Sequence, residues 1–182
     1  MLIEGAVGMF SPLYALFVEN NIKGANELII GVSISIYLVS RSVLQIPIAT
    51  FIDKIKGEKD DYLFLVFFST LVGIVHLGYL FVNQTWQLFL IELLLGVFTA
   101  ITYPSYMAIF TRHIDLNMEG TEWGIYYTFV DLGGAALTAL GGYIASFYGY
   151  TWLIIVVSTV CIVGGLMLIP IRPYLFKSSQ HH

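Results

Sequence analysis

Residues 62–82 read Tyr62-Leu63-Phe64-Leu65-Val66-Phe67-Phe68-Ser69-Thr70-Leu71-Val72-Gly73-Ile74-Val75-His76-Leu77-Gly78-Tyr79-Leu80-Phe81-Val82, without a single Asp, Glu, Lys or Arg. As a helix rising about 1.5 Å per residue, such a run crosses the roughly 30 Å of hydrocarbon in a bilayer. Five more apolar runs lie on either side of it, at 2–19, 28–52, 86–111, 122–147 and 151–171. The spacing therefore predicts six transmembrane helices. Turn or charge signals separate them: Glu19 to Gly24, Asp53 to Asp61, Asn83-Gln84-Thr85, Arg112 to Gly120 and Tyr148-Gly149-Tyr150. No segment shows the sustained in/out alternation of a membrane barrel, so the fold class is all-α.

Composition agrees. Of 182 residues, 58 % are hydrophobic and 11 % charged, against about 25 % charged in soluble domains, and the mean hydropathy is +0.83. Disordered, collagenous, coiled-coil and disulfide-stapled secreted classes are excluded, and the lipid bilayer is the solvent. A net charge of −4, with Lys54, Lys56 and Lys59 as the one basic cluster, excludes nucleic acid as a partner. The lone Cys161 forms neither an internal disulfide nor a multi-cysteine metal site, and no cofactor is implied. The run from Met1 lacks the basic lead and small-residue cleavage site of a signal peptide. Ser178-Ser179-Gln180-His181-His182 reads as a vector scar entering a purification tag, which leaves one transmembrane domain over 1–177.

Basic residues set the orientation. With the first helix starting inside, inner segments hold Lys54, Lys56, Lys59, Arg112, Arg172 and Lys177, and outer ones only Lys23. Both termini are expected in the cytoplasm, with the chain in the cell (inner) membrane. Trp86, Trp123 and Trp152 fall at span edges, where an aromatic belt is expected.

Shifting the sequence by 92 positions lays Pro12-x-Tyr14 over Pro104-x-Tyr106, and Ala49-Thr50-Phe51-Ile52-x4-Gly57 over Gly141-Gly142-Tyr143-Ile144-x4-Gly149. Two three-helix repeats are predicted, about 1–84 and 85–177. Three spans is an odd number, so the copies point oppositely. Accordingly, Asp53, Lys54, Lys56 and Lys59 fall on the uncharged Ala145, Ser146, Tyr148 and Thr151 in the copy whose matching loop lies outside. Inverted repeats of this kind are a transporter device.

The segment Ala49-x3-Asp53-Lys54-x-Lys56-Gly57-x-Lys59 resembles the cytoplasmic signature of the major facilitator superfamily, with Ala49 for the leading Gly and the second Gly displaced by one. Gly124-x8-Gly133-x3-Leu137-Thr138-x2-Gly141-Gly142 is similar to the family's fifth-helix glycine motif, with Leu137-Thr138 where that motif has Gly-Pro. Glu92-x3-Gly96 sits where many members carry Arg-x3-Gly. The resemblance covers the whole chain and implies one six-helix half of a twelve-helix transporter. It further implies that the first and fourth helices line a cavity, the second and fifth face the other half, and the third and sixth are outer support.

Each intramembrane charge is a functional candidate by default. Arg41 and Asp131 lie at similar depths in the second and fifth helices. In a homodimer arranged like the family they would form two symmetric bridges across the interface, beside Gly133, Gly141 and Gly142. A pair within one subunit, or an Asp131 that titrates alone, is the alternative. His76 and Glu92 each lie six residues from a shared outer turn and are expected to meet there, since a His beside a carboxylate changes protonation near neutral pH. The alternative is a hydrogen-bonded structural His. Glu92 and Asp131 are the proton-carrier candidates, as carboxyls inside apolar spans.

By resemblance, Asp53 with Lys54 forms a cytoplasmic gate that pairs with Arg112; otherwise these lysines only fix topology. Pro12 and Pro104 should bend the first and fourth helices. Tyr14, Tyr103 and Tyr106 beside them are candidate substrate-binding residues, with packing as the alternative. The expected function is a half-sized, homodimeric, proton-coupled carrier of a small solute. The alternatives are a scaffold module, or an isolated half whose partner is a second six-helix half. No His-x3-His, nucleophile elbow or paired aspartate motif points to an enzyme.

Overall fold

The spans predicted from apolarity form helices in a computed structural model that describes residues 2–54, 59–115 and 117–171, apart from the side chains of Leu2, Asp53, Lys59 and Ile171. The Asp53 side chain, Lys56, Gly57, Arg172, Lys177 and the 178–182 tail therefore lie outside the described residues. The helices are α1 (Leu2–Phe10), α2 (Tyr14–Asn21), α3 (Glu27–Lys54), α4 (Lys59–Leu77), α5 (Thr85–Arg112), α6 (Glu119–Tyr148) and α7 (Tyr150–Leu166). Short 3-10 turns at Ser11–Leu13, Gly78–Phe81 and Ile169–Ile171 complete the first, third and sixth spans. Among the described residues there is no strand.

The protein is an all-α membrane protein. α3, α5, α6, and α4 with its 3-10 extension are each long and apolar enough to cross a bilayer. α7 has 17 residues, about 25 Å of helix, and the first span is α1 and α2 in tandem. Local chemistry sets the boundaries. The Asn26 side-chain oxygen accepts from the Ile29 N–H at 2.9 Å, and a reciprocal capping box of Gln84 and Gln87 opens α5. Gly149, at φ 86°, ends α6 in the left-handed region that a residue without Cβ reaches freely.

Proline breaks the first span but not the fourth. Pro12 has no N–H to offer the carbonyl of Gly8, four residues back. The Thr138 hydroxyl of α6 donates to that carbonyl at 3.0 Å instead. Here Leu137-Thr138 has a physical role: Leu137 lies over Gly5, Thr138 supplies the missing donor, and both hold α6 against α1. Pro104 and Pro47 sit inside the uninterrupted helices α5 and α3, so the bend expected at Pro104 is not accompanied by a break.

α3 packs on α5, α6 on α1, α4 on both α5 and α7, and α1 on α7. Under exchange of the first three spans for the last three, α3·α5 matches α6·α1 and α4·α5 matches α7·α1, whereas the lighter packing of α6 on α7 has no counterpart of similar extent between α3 and α4. At the α4·α7 crossing two glycines meet the facing backbone. A Cβ on Gly73 would stand 2.8 Å from the Ile162 backbone nitrogen, and one on Gly165 2.9 Å from that of Thr70. Gly73 and Gly165, like Thr70 and Ile162, are 92 positions apart, the offset that aligns the two halves of the sequence. Small residues here let two backbones touch where lipid supplies no hydrophobic drive.

The core is filled by α1, α2, α4, α5 and α7, through Met9, Phe10, Phe17, Tyr79, Leu88 and Leu153. In their most apolar windows α3 and α6 are only 6 % buried, against 44 % for α5.

Candidate functional site

Polar residues gather at both ends of this apolar bundle. At the end where α4 turns into α5, Glu92 is buried and its Oε1 accepts from the Tyr79 hydroxyl at 2.6 Å. The Tyr14 hydroxyl faces the same carboxylate and donates to Ser33 Oγ at 2.7 Å, and Ser33 passes its own proton to the Ile30 carbonyl. Four elements meet here: α2 by Tyr14, α3 by Ser33, the 3-10 turn after α4 by Tyr79, and α5 by Glu92. Every polar atom named has a partner, as burial in a low-dielectric interior requires.

His76 does not meet Glu92 directly. Its Nδ1–H donates to the Val72 carbonyl of its own helix at 2.8 Å, and its ring stands edge-on to Tyr79, 5.9 Å away. Tyr79 stands between the two, bonded to Glu92 and in ring contact with His76. Tyr14, expected to contact substrate, belongs to this sealed cluster.

At the opposite end a second cluster is open. The Tyr126 hydroxyl of α6 donates to Glu4 Oε2 of α1 at 2.6 Å. Around Tyr126 lie Tyr106 at 5.7 Å, Phe110 at 5.3 Å, Trp123 at 5.8 Å and Tyr127 at 5.3 Å between ring centroids. Of these rings, Tyr106 was expected to bind substrate and Trp123 to belong to an aromatic belt. The other rings were readable in the spacing 106/110 and 123/126/127, which puts each set on one helix face.

A third polar group lies midway along α3. The Arg41 guanidinium stacks over the Tyr103 ring, 4.9 Å from its centroid, and reaches the Tyr37 hydroxyl at 3.4 Å. One turn further, Gln45 begins a cleft of about 440 Å³ between α3 and α5 that Tyr103, Pro104 and Met107 also line. Asp131 is exposed on α6, away from Arg41. A pair within one subunit is thus not formed.

Arg112, at the end of α5, pairs with Asp61 at the start of α4, a buried carboxylate that in the sequence looks like part of a charged turn. The expected pairing of Arg112 with Asp53 falls outside the described residues, because the Asp53 side chain is not among them; Lys54 is exposed at the end of α3. Gly141, expected between copies, is buried against the Met9 backbone of the same chain, because α1 and α6 need the close approach themselves. Gly133 and Gly142 face open space. Gly96 of α5 plays the equivalent part on the other flank, where a Cβ would stand 2.6 Å from the Tyr37 carbonyl of α3.

The profile of the Major Facilitator Superfamily matches residues 1–179. Over 146 residues the chain is 30 % identical to an uncharacterized MFS-type transporter of Methanocaldococcus jannaschii, covering 79 % of this chain and 36 % of that protein. Over 163 residues it is 23 % identical to an uncharacterized MFS-type transporter of Bacillus subtilis, covering 90 % of this chain and 96 % of that protein. The chain thus spans about a third of the archaeal relative and nearly all of the bacterial one.

Proposed function

The chain belongs to the major facilitator superfamily, and from that premise we propose that it is a half-sized secondary active transporter. Two copies would assemble into a twelve-helix carrier that moves a small solute by alternating access, with its two repeats inverted and both termini cytoplasmic. One observation carries this reading: the two helices left almost uncovered, α3 and α6, are those that hold Arg41 and Asp131. A charge near mid-bilayer facing acyl chains costs about 2.5–3.5 kcal/mol. A mate that brings α6 to α3 would remove that cost at the exposed Asp131 and give the half-buried Arg41 an anionic partner.

The heights match. Arg41 stands 13 residues before the end of α3 at Lys54, and Asp131 stands 12 residues after the start of α6 at Glu119, ends that share one face of the bundle. The difference of one residue is about 1.5 Å. Gly133 and Gly142, open on α6, leave room for a partner helix. The Bacillus subtilis relative, covered over 96 % of its length, supports a carrier built from chains of this size. Protons would be carried by Glu92 or Asp131, with Arg112 and Asp61 holding the cytoplasmic side shut.

Native mass measurement in detergent tests the assembly. The wild type is expected as a dimer, Arg41→Asp and Asp131→Arg each as monomers, and the double reversal as a dimer again. A folded wild-type monomer at all concentrations, or a double reversal no better than either single change, overturns the pairing. In liposomes holding a pH-sensitive dye, solute-driven proton flux that is lost in Glu92→Gln or Asp131→Asn supports coupling. A chain that pairs without any flux is a scaffold instead.

A further inference from the structure

We propose that the solute of this carrier is an organic cation, a quaternary or protonated amine, received on the aromatic faces of Tyr106, Phe110, Trp123 and Tyr126 beside the Glu4 carboxylate. This rests on the transporter reading and names the class of solute it leaves open.

The site is built from three spans. Glu4 comes from the first turn of α1, Tyr106 and Phe110 from the last turns of α5, and Trp123, Tyr126 and Tyr127 from the first turns of α6. Phe110 and Trp123 approach to 4.5 Å between centroids, Tyr106 and Phe110 stack at 5.8 Å, and Trp123 and Tyr127 stack at 5.7 Å. These rings gather on two helices and reach a carboxylate on a third.

Their chemistry selects charge. Ring faces are the negative pole of the aromatic quadrupole and attract ammonium groups, and Trp is the strongest of them. The Tyr126 hydroxyl fixes Glu4 at the rim by donating to it, so an acidic side chain stands beside the faces. An anionic solute is repelled by the same arrangement. A neutral polyol would need free donors and acceptors, whereas the Tyr126 hydroxyl is committed to Glu4. The neighbouring basic group, Arg112, is turned to Asp61 of α4 and does not occupy the site. Glu4 and Tyr126 are only partly covered, so a solute reaches them without the helices parting.

Trp123 reports occupancy directly. In the full chain carrying Trp86→Phe and Trp152→Phe, it is the sole tryptophan. Its emission is followed in detergent during titration with tetraethylammonium and, in parallel, with the neutral isostere 3,3-dimethylbutan-1-ol. A saturable change is expected for the cation alone, about tenfold weaker in Glu4→Gln and weakened less in Tyr126→Phe, which keeps the ring. No saturable change, an equal response to the neutral compound, or unaltered affinity in a Glu4→Gln protein with a native helical spectrum overturns the proposal. Binding without cation uptake into liposomes overturns the carrier reading and leaves the site standing. Uptake of another solute that tetraethylammonium does not inhibit overturns the site and leaves the carrier standing.

Discussion

Glu92 and Glu4 each accept a hydrogen bond from a tyrosine hydroxyl at 2.6 Å, yet Glu92 is 5 % exposed inside the bundle and Glu4 opens on its surface. Glu4 lies on α1 and Glu92 on α5. The 92-residue offset carries Tyr14, beside Glu92, onto Tyr106, beside Glu4, and carries Glu4 onto Gly96, one turn from Glu92. Similar parts therefore stand at opposite ends of related helices, and what differs is the cover. α2, α3 and the turn after α4 close over Glu92. At the other end the helices begin and stop without closing over Glu4. One polar arrangement is thus sealed inside the bundle and the other is open to its surroundings.

This contrast is open to direct attack. Tyr79 touches Phe10, Phe17, Tyr14 and His76, so Tyr79→Ala should cost about 3–5 kcal/mol, the usual range for emptying a large aromatic from a core. Tyr126→Ala, in the open cluster, should cost about 1 kcal/mol or less. Thermal unfolding in detergent compares them, and equal losses would abolish the distinction. Gly73→Ala and Gly165→Ala should each cost about 1–3 kcal/mol through overpacking at the α4·α7 crossing, and by similar amounts if the repeats are equivalent there. A loss at one glycine only would break the symmetry. Tyr79→Phe deprives a buried carboxylate of its donor and should cost about 1–3 kcal/mol, whereas Tyr126→Phe should fall within about 0.5 kcal/mol. A similarly small effect is expected at Thr138→Val, about 0.6 kcal/mol, the average for a hydrogen bond between membrane helices.

The spans were legible because lipid imposes one rule on every residue it touches, and the run from Tyr62 to Val82 obeys it throughout. Pro12 and Pro104 looked alike in sequence and behave differently, since only the first ends an α-helix. What decides between them is tertiary, a hydroxyl on α6, and it leaves no mark near residue 12. Tyr79 was hidden as one aromatic in an apolar run, although it bridges the two residues expected to meet. Asp61 was hidden by its surroundings, where a charge in a turn looks solvated. Gly73 and Gly165 were within reach, because the offset found at Pro12 and Pro104 pairs them; their contact needs the fold. The aromatic box was legible as spacing on each helix, and only the joining of α5 and α6 to α1 makes it a site.

The bond from Thr138 to the carbonyl freed by Pro12 also bears on how such a chain changes over generations. A substitution at either position alters what the other is worth: without the proline the hydroxyl has no vacancy to fill, and without the hydroxyl the proline exposes bare peptide to oil. Drift at the two sites is therefore expected to be correlated, and variants that lose one should tolerate losing the other.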